Sequence, residues 1–144
     1  MYAFTEKYPN FDGRIITKAT IVFDDDKTIE VNAQWDCGAT ISSISKELAL
    51  ELGLKPICQS NTETTSDSML SNIYNIGIFI PNSDIAVMVE ACETPSIHKF
   101  GIDILIGMDV IKHGDFAIST YDGVTCFSFR HPSQGFIDFK EQKN

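Results

Sequence analysis

Apolar and polar residues alternate along much of the chain, the pattern of strands that bury one face. Residues 15–23 and 28–35 both alternate in this way, and the polar residues 24–27 between them predict a hairpin. Shorter apolar runs bounded by turn residues predict further strands at 73–80, 85–91, 104–106, 116–121 and 124–129. The pattern therefore predicts an all-β domain of seven or eight strands.

Two short helices interrupt the strands. Ser45 is a typical N-cap, an apolar stripe follows it, and Gly53 is a typical C-terminal stop. Residues 108–113 fit one or two further turns before Gly114. Residues 61–71 are polar and predict either a mobile loop or an exposed hairpin tip.

The 144 residues suit one domain. We expect residues 1–10 to form a loosely held N-terminal arm and residues 11–131 to form the domain. Residues 132–144 are expected to form a C-terminal extension that contains Phe136, Ile137 and Phe139. This extension either adds a strand to an interface between subunits or packs on its own domain.

Composition and charge exclude several classes of function. A net charge of −9 without a Lys/Arg cluster argues against nucleic acid as a partner. The sequence has no run of eighteen apolar residues and no secretory signal, so we expect a cytoplasmic protein that does not bind membranes. The spacing of the four cysteines fits neither a metal site nor a redox motif, so reduced thiols and no cofactor are expected.

The sequence feature that points to chemistry is Asp36, a carboxylate placed where an apolar strand ends. Gly38 and Ala39 follow it, and such small residues let a second backbone approach closely. From spacing alone, the commoner role for an Asp in this position is to cap backbone amides in a turn. The other interpretation is a catalytic carboxylate held by a rigid element.

Two segments resemble a known family. Residues 35–44 read WDCGATISSI, which resembles the active-site motif of the retropepsin-like aspartic proteases: Asp-Thr/Ser-Gly-Ala, a small hydroxyl residue, then a strand. Residues 103–111 read DILIGMDVI and resemble the family's later apolar-apolar-Gly segment and its short helix. Residues 114–118 and the Asp122-Gly123 hairpin resemble the bacterial branch of the family. The resemblance covers roughly residues 15–130 and implies a single-lobe, closed β-barrel of the acid-protease fold.

The resemblance also implies a mechanism. Peptide hydrolysis in this family uses two facing carboxylates that share one proton, one as base towards water and one as acid towards the scissile carbonyl. Because the chain has one such motif, a homodimer would supply two copies of Asp36. The implied residues that support the active-site loop are Cys37, Gly38, Ala39 and Thr40. The implied structural motif beside the site is Leu105, Ile106 and Gly107. Activity would be highest on the acidic side of neutrality, and peptides or proteins would be the substrates.

The sequence departs from the family pattern in two places. Cys37 stands where the family has Thr or Ser, whose hydroxyl is understood to hydrogen-bond across the dimer, and a thiol is a weaker donor. The segment expected to form the flap over the substrate contains no glycine at residues 62–69. Its flap candidates are Thr65, Ser66 and Met69.

These departures leave alternatives open. The chain could be a catalytically impaired dimer that binds extended peptides by strand addition without cutting them. It could be a β-barrel interaction domain in which Asp36 is structural. It could instead use Cys37 as a nucleophile, although the motif places no His nearby. Asp103 and Asp109 fit roles as turn and cap residues better than as partners of Asp36.

Overall fold

A computed structural model describes residues 1–63 and 68–141. Ten strands, two α-helices and one 3₁₀ turn (His98–Phe100) occur in these ranges. The strands are β1 (Tyr2–Tyr8), β2 (Ile15–Phe23), β3 (Lys27–Trp35), β4 (Ser43–Ser45), β5 (Cys58–Glu63), β6 (Ser68–Phe79), β7 (Ala86–Thr94), β8 (Ile104–Ile106), β9 (Asp115–Tyr121) and β10 (Val124–His131). The helices are α1 (Lys46–Glu51) and α2 (Met108–Ile111). The predicted all-β class with two short helices is confirmed.

The strands form two sheets. The larger has the order β2-β3-β8-β4-β7-β6-β5, and β2 also pairs with β6 at Ile21 and Val22. This extra pairing closes the sheet on itself. The smaller sheet has the order β1-β10-β9. Within the larger sheet, β8 runs parallel to β3 and antiparallel to β4, so it lies between the two strands that flank the Asp36 loop.

The β2–β3 hairpin forms as its alternating sequence predicts. Nine residue pairs join the strands, from Ile15 opposite Trp35 to Phe23 opposite Lys27. Asp24 and Asp25 form the turn with positive φ angles of 46° and 71°, the left-handed pair that suits a tight hairpin between right-twisted strands. The alternate side chains of β2 are buried, which places its apolar face in the core.

The N-terminal residues are not the loosely held arm that the sequence suggested. All seven residues of β1 pair with β10, from Tyr2 opposite His131 to Tyr8 opposite Thr125. The Phe4 ring lies 5.8 Å from that of Trp35 and 5.4 Å from that of Phe127, measured between centroids. The strand was not recognised in the sequence because many of its residues are polar. One face of the small sheet is exposed, and only alternate residues of β1 contact the core.

The polar segment at 61–71 belongs largely to an antiparallel hairpin. β5 pairs with β6 from Cys58 opposite Ile73 to Glu63 opposite Ser68. The sequence did not predict β5, because a strand with no apolar face gives no periodic signal. Of the flap candidates, Met69 pairs with Thr62 across this hairpin, whereas Thr65 and Ser66 lie outside the described residues.

The core contains a cluster of aromatic rings beneath the smaller sheet. Trp35 is 4% exposed, and its ring centroid lies 5.0–6.3 Å from those of Phe116, Phe127 and Phe129. Its indole Nε1 donates to Thr17 Oγ1 at 2.9 Å, which satisfies the buried polar atom of the ring. The cluster fixes the end of β3, and Asp36 is the next residue.

The described part of the C-terminal extension, residues 132–141, contains no strand within this chain. Phe136 and Phe139 are fully and largely exposed, and Ile137 is partly exposed. The beginning of the extension is held by the Asp115 carboxylate, which accepts hydrogen bonds from Ser133, the Gln134 amide and Arg130. The Ser133 hydroxyl is the largest cause of a lowered pKa of Asp115, about 2.

The described residues include all four cysteines. All four cysteines are free thiols, as predicted. Burial raises the pKa of Cys92, so this thiol stays protonated at neutral pH. No helix in the described ranges has the length and apolarity needed to span a bilayer.

Phe4→Ala should lower the free energy of unfolding by about 2–4 kcal/mol, because it opens a cavity beside Trp35 and Phe127. Urea unfolding followed by tryptophan fluorescence measures the change. Lys7→Ala, at an exposed position of the same strand, is the matched control and should change stability by less than about 0.5 kcal/mol. Equal stability of the parent and Phe4→Ala would show that residues 1–10 are loosely held, as the sequence suggested.

Candidate active site

Asp36 is fixed by its position between two strands. It follows the last residue of β3, and its amide donates to the Ile106 carbonyl of β8 at 2.9 Å. Ile106 is itself 1% exposed and lies opposite Trp35 in the parallel pairing of β3 with β8. The backbone that carries the carboxylate is therefore attached to the core, while the Asp36 side chain is only half-buried.

The residues after Asp36 form a tight turn that orients its carboxylate. The Ala39 amide donates to the Asp36 carbonyl at 3.1 Å, and the Gly38 amide donates to Asp36 Oδ1 at 2.9 Å. A Cβ on Gly38 would lie 3.2 Å from that same oxygen, closer than most real contacts. The turn thus binds one carboxylate oxygen, and a side chain at residue 38 would crowd that oxygen.

Gly107 lets the segment after β8 pass directly over the Asp36 loop. The Met108 amide donates to the Ala39 carbonyl at 2.8 Å. A Cβ at Gly107 would lie 2.7 Å from both the carbonyl carbon and the oxygen of Ile41, and backbone atoms cannot move aside as a flexible side chain can. The predicted apolar-apolar-Gly motif thus contacts the Asp36 loop through its backbone.

Ser42 and Asp109 fasten the two motifs together. Asp109 Oδ2 accepts from the Ser42 amide at 2.9 Å, and Asp109 Oδ1 accepts from the Ser42 hydroxyl at 2.7 Å. The Ser42 hydroxyl oxygen accepts in turn from the Gly107 amide at 3.0 Å. Ser42 is fully buried, so its amide and hydroxyl cannot bond to water, and these bonds supply their hydrogen-bond partners.

Sequence reasoning assigned Asp109 a capping role, and its Oδ1 does accept from the Val110 amide in the first turn of α2. The link to Ser42 was missed. Ser42 lies among other hydroxyl residues in the segment ATISSIS (39–45), so no signal in the sequence marked its side chain as buried. Asp103 has a similar structural role, because its Oδ2 accepts from the Asn32 amide at 2.8 Å.

The other predicted site residues lie around this framework. Cys37 and Thr40 are exposed, and Ala39 is half-buried. Leu105 is half-buried and pairs with Gln34 on one side and Ser43 on the other. No cluster of three or more His, Cys, Asp or Glu side chains suited to a metal ion occurs within residues 1–63 and 68–141.

The fold of the chain is similar to that of a protease of known structure. The chain aligns with a retropepsin-like aspartic protease from Rickettsia conorii over 90% of its own length and 97% of that protein, with a TM-score of 0.53. The chain has the retropepsin-like fold. Sequence identity in that alignment is 15%, and neither a protein-family model nor a curated protein matches the sequence.

Two viral proteases also align with the chain, at lower TM-scores. The EIAV protease in complex with the inhibitor HBY-793 aligns over 72% of this chain and 89% of its own, with a TM-score of 0.49 and 15% identity. The Simian Foamy Virus (mac) protease aligns over 67% and 92%, with a TM-score of 0.45 and 20% identity.

Asp109→Ala should lower the free energy of unfolding by about 2–4 kcal/mol, because it leaves the Ser42 amide and hydroxyl buried with a partner removed. Guanidinium unfolding of the parent, Asp109→Ala, Ser42→Ala and the double variant gives the coupling energy between the two side chains.

The control for this cycle is Asp26→Ala, which removes an exposed carboxylate in the β2–β3 turn and should cost less than about 0.5 kcal/mol. Strictly additive effects of Asp109→Ala and Ser42→Ala would show that their contact contributes nothing to the fold.

Proposed function

We propose that the chain is an aspartic endopeptidase that acts as a homodimer and receives one Asp36 carboxylate from each subunit. The observation that carries this proposal is the orientation of Asp36 at the end of β3. Its backbone is bonded to Ile106, one carboxylate oxygen is bonded to the Gly38 amide, and its side chain is half-buried. The retropepsin-like fold supports the same conclusion.

The requirement for a second subunit follows from the chemistry. Asp36 belongs to the one Asp-x-Gly sequence in the chain. The carboxylates of Asp103 and Asp109 are bonded to Asn32 and Ser42, respectively, so neither is free to serve as the second carboxylate. A two-fold axis near the loop would bring the second Asp36, since an isologous contact pairs the same surface of both subunits.

The proposed reaction is the addition of water to a peptide carbonyl. One Asp36 carboxylate takes a proton from the water as its oxygen bonds to the carbonyl carbon, while the protonated partner carboxyl donates to the carbonyl oxygen. The tetrahedral intermediate then collapses. The carbon–nitrogen bond breaks as one carboxyl group donates its proton to the leaving amine. The other carboxylate takes a proton from a hydroxyl of the intermediate, which becomes the carboxyl group of the first product. The pair ends with one proton, as it began.

The substrate is an extended peptide or protein segment. The β5–β6 hairpin lies at one edge of the larger sheet, and Glu63 opposite Ser68 is its last described pair. In this proposal the hairpin covers the substrate as the flap. Exposed β-edges near the site would hydrogen-bond the substrate backbone, whereas side-chain contacts would set the preference for sequence.

A second candidate function is a dimer that binds extended peptides without cutting them. The observation that favours it is Cys37, an exposed thiol directly after Asp36. A thiol donates a longer and weaker hydrogen bond than the hydroxyl expected at this position. A looser contact between the two loops would orient the carboxylates less well while leaving the peptide groove intact.

Asp36→Asn should reduce peptidase activity by about 100-fold or more, because an amide cannot exchange the proton in either role. The fold should persist, since Asn Oδ1 can still accept from the Gly38 amide. A peptide-library digest between pH 4 and 7 measures the activity, which should be highest on the acidic side of neutrality. Asp26→Asn, the same change at an exposed turn, should remain fully active.

Mixing experiments test the shared site. When equal amounts of the parent and Asp36→Asn exchange subunits at random, about half of the activity of the parent alone should remain, since mixed dimers hold one working carboxylate. Undiminished activity in the mixture would contradict a site built from two subunits. Persistent monomer at high concentration in sedimentation would contradict the dimer itself.

Cys37→Ser and Cys37→Thr should preserve the fold and equal or increase peptidase activity. A hydroxyl makes a stronger hydrogen bond than a thiol, and each such bond contributes roughly 1 kcal/mol. Steady-state kinetics of both variants and the parent measure the effect, with thermal unfolding to confirm folding.

The opposite results separate the alternatives. Loss of activity in Cys37→Ser together with retained activity in Asp36→Asn would identify the cysteine as the nucleophile. An inactive parent that stays inactive in both Cys37 variants, but still binds extended peptides as a dimer, would select the non-catalytic function.

A further inference from the structure

Two cations lie against one exposed aromatic ring, that of Phe100. The Arg14 guanidinium carbon lies 5.3 Å from the centroid of the Phe100 ring, and Lys99 Nζ lies 5.1 Å from it. Phe100 is 56% exposed, although its ring is large and apolar. Both distances are within the range at which a cation is attracted to an aromatic face. We refer to Arg14, Lys99 and Phe100 as the cationic rim.

The strand register places the cationic rim at the level of Asp36. Ile15 lies opposite Trp35 in the β2–β3 hairpin, so the preceding residue of one strand and the following residue of the other, Arg14 and Asp36, are the next positions outward. The pairing ends at Ile15 and Trp35, so Arg14 and Asp36 lie at the same end of the hairpin. The contact with Arg14 shows that the 3₁₀ turn containing Phe100 folds back to this same end of the hairpin.

The charge of the cationic rim contrasts with that of the chain. The chain has 20 acidic and 11 basic residues, yet the rim presents two basic side chains around one ring. Within residues 1–63 and 68–141, Arg14 has one acidic partner, Asp12, whose Oδ2 lies 2.9 Å from Arg14 Nη2. The hydrogen bond from Arg14 is the main cause of a lowered pKa of Asp12. Both side chains of this pair are exposed, so another carboxylate can displace Asp12 at little cost.

We propose that the cationic rim is a substrate subsite that selects peptides with a Glu or Asp side chain within a few residues of the scissile bond. The acidic group would bind the Arg14 guanidinium and the Lys99 ammonium, and its methylene groups would lie on the Phe100 ring. This inference rests on the proposed function, because it takes the groove at Asp36 as the place where the peptide lies.

The test compares three matched peptide series in which each position near the cut carries Glu, Gln or Lys. Cleavage is measured as kcat/KM with the parent, and binding is measured by fluorescence anisotropy in the Asp36→Asn background, where turnover is blocked. At one position the parent should prefer Glu over Gln by about three- to ten-fold, the range expected for one charge-assisted contact at an exposed site. Lys at that position should be disfavoured.

Variants assign the preference to the cationic rim. Arg14→Gln and Phe100→Leu should each reduce it to less than about two-fold, mainly through KM. Asp12→Asn should increase it, because Arg14 loses its competing partner. The matched control is Lys27→Gln. It removes the same charge from an exposed Asp–cation pair, Asp24 with Lys27, at the opposite end of the hairpin, and should leave the preference unchanged.

The two proposals fail in different ways. If Asp36→Asn still cuts peptides, the aspartic mechanism is wrong, and the preference for Glu measured by binding still decides the subsite. If the parent cuts peptides without a preference for Glu, or if Arg14→Gln keeps that preference, the subsite is wrong and the peptidase stands. Absence of both cleavage and binding across all three series overturns the subsite as well.

Discussion

The placement of β8 between β3 and β4 is the constraint on which the candidate site depends. Its last residue, Ile106, accepts a hydrogen bond from the Asp36 amide, and the segment after it donates to the Ala39 carbonyl through Met108. The second bond requires backbones to approach closely, because a Cβ at residue 107 would lie 3.0 Å from that Ala39 oxygen and 2.7 Å from backbone atoms of Ile41. Gly107 therefore serves the site as directly as Asp36 does, although it carries no reactive group.

A buried network of hydrogen bonds also supports the loop that carries Asp36. Asp109 and Ser42 connect the loop after Asp36 to α2, and every donor in this contact is directed at an oxygen. Such a network costs free energy unless each member is satisfied, but once satisfied it permits one arrangement of the loop. The aromatic cluster around Trp35 restricts the other side of the same loop. A carboxylate held from both sides keeps its direction without being buried, and this leaves it accessible to water and peptide.

Under the proposed function, a single-lobe chain carries out a two-carboxylate reaction by pairing with a second copy. One lobe supplies one oriented carboxylate, and the proposed two-fold axis supplies the other without a second domain. The same proposal makes the cationic rim a subsite for acidic side chains of the substrate. Arg14 is brought level with Asp36 by the hairpin register, so a preference for substrate charge would arise from the element that positions the reactive group.

The sequence by itself determined the elements whose local pattern is strong. The β2–β3 and β9–β10 hairpins, the Ser45 cap and the Asp36 and Gly107 motifs were predicted, because alternation, turn residues and small residues act over a few positions. Only the tertiary structure decided the rest. β1 and β5 are strands because distant partners pair with them, and Ser42 meets Asp109 across 67 positions. Phe100 contacts Arg14, which is also distant in the sequence. Local periodicity reports which face of an element is apolar, whereas these contacts depend on which elements become neighbours.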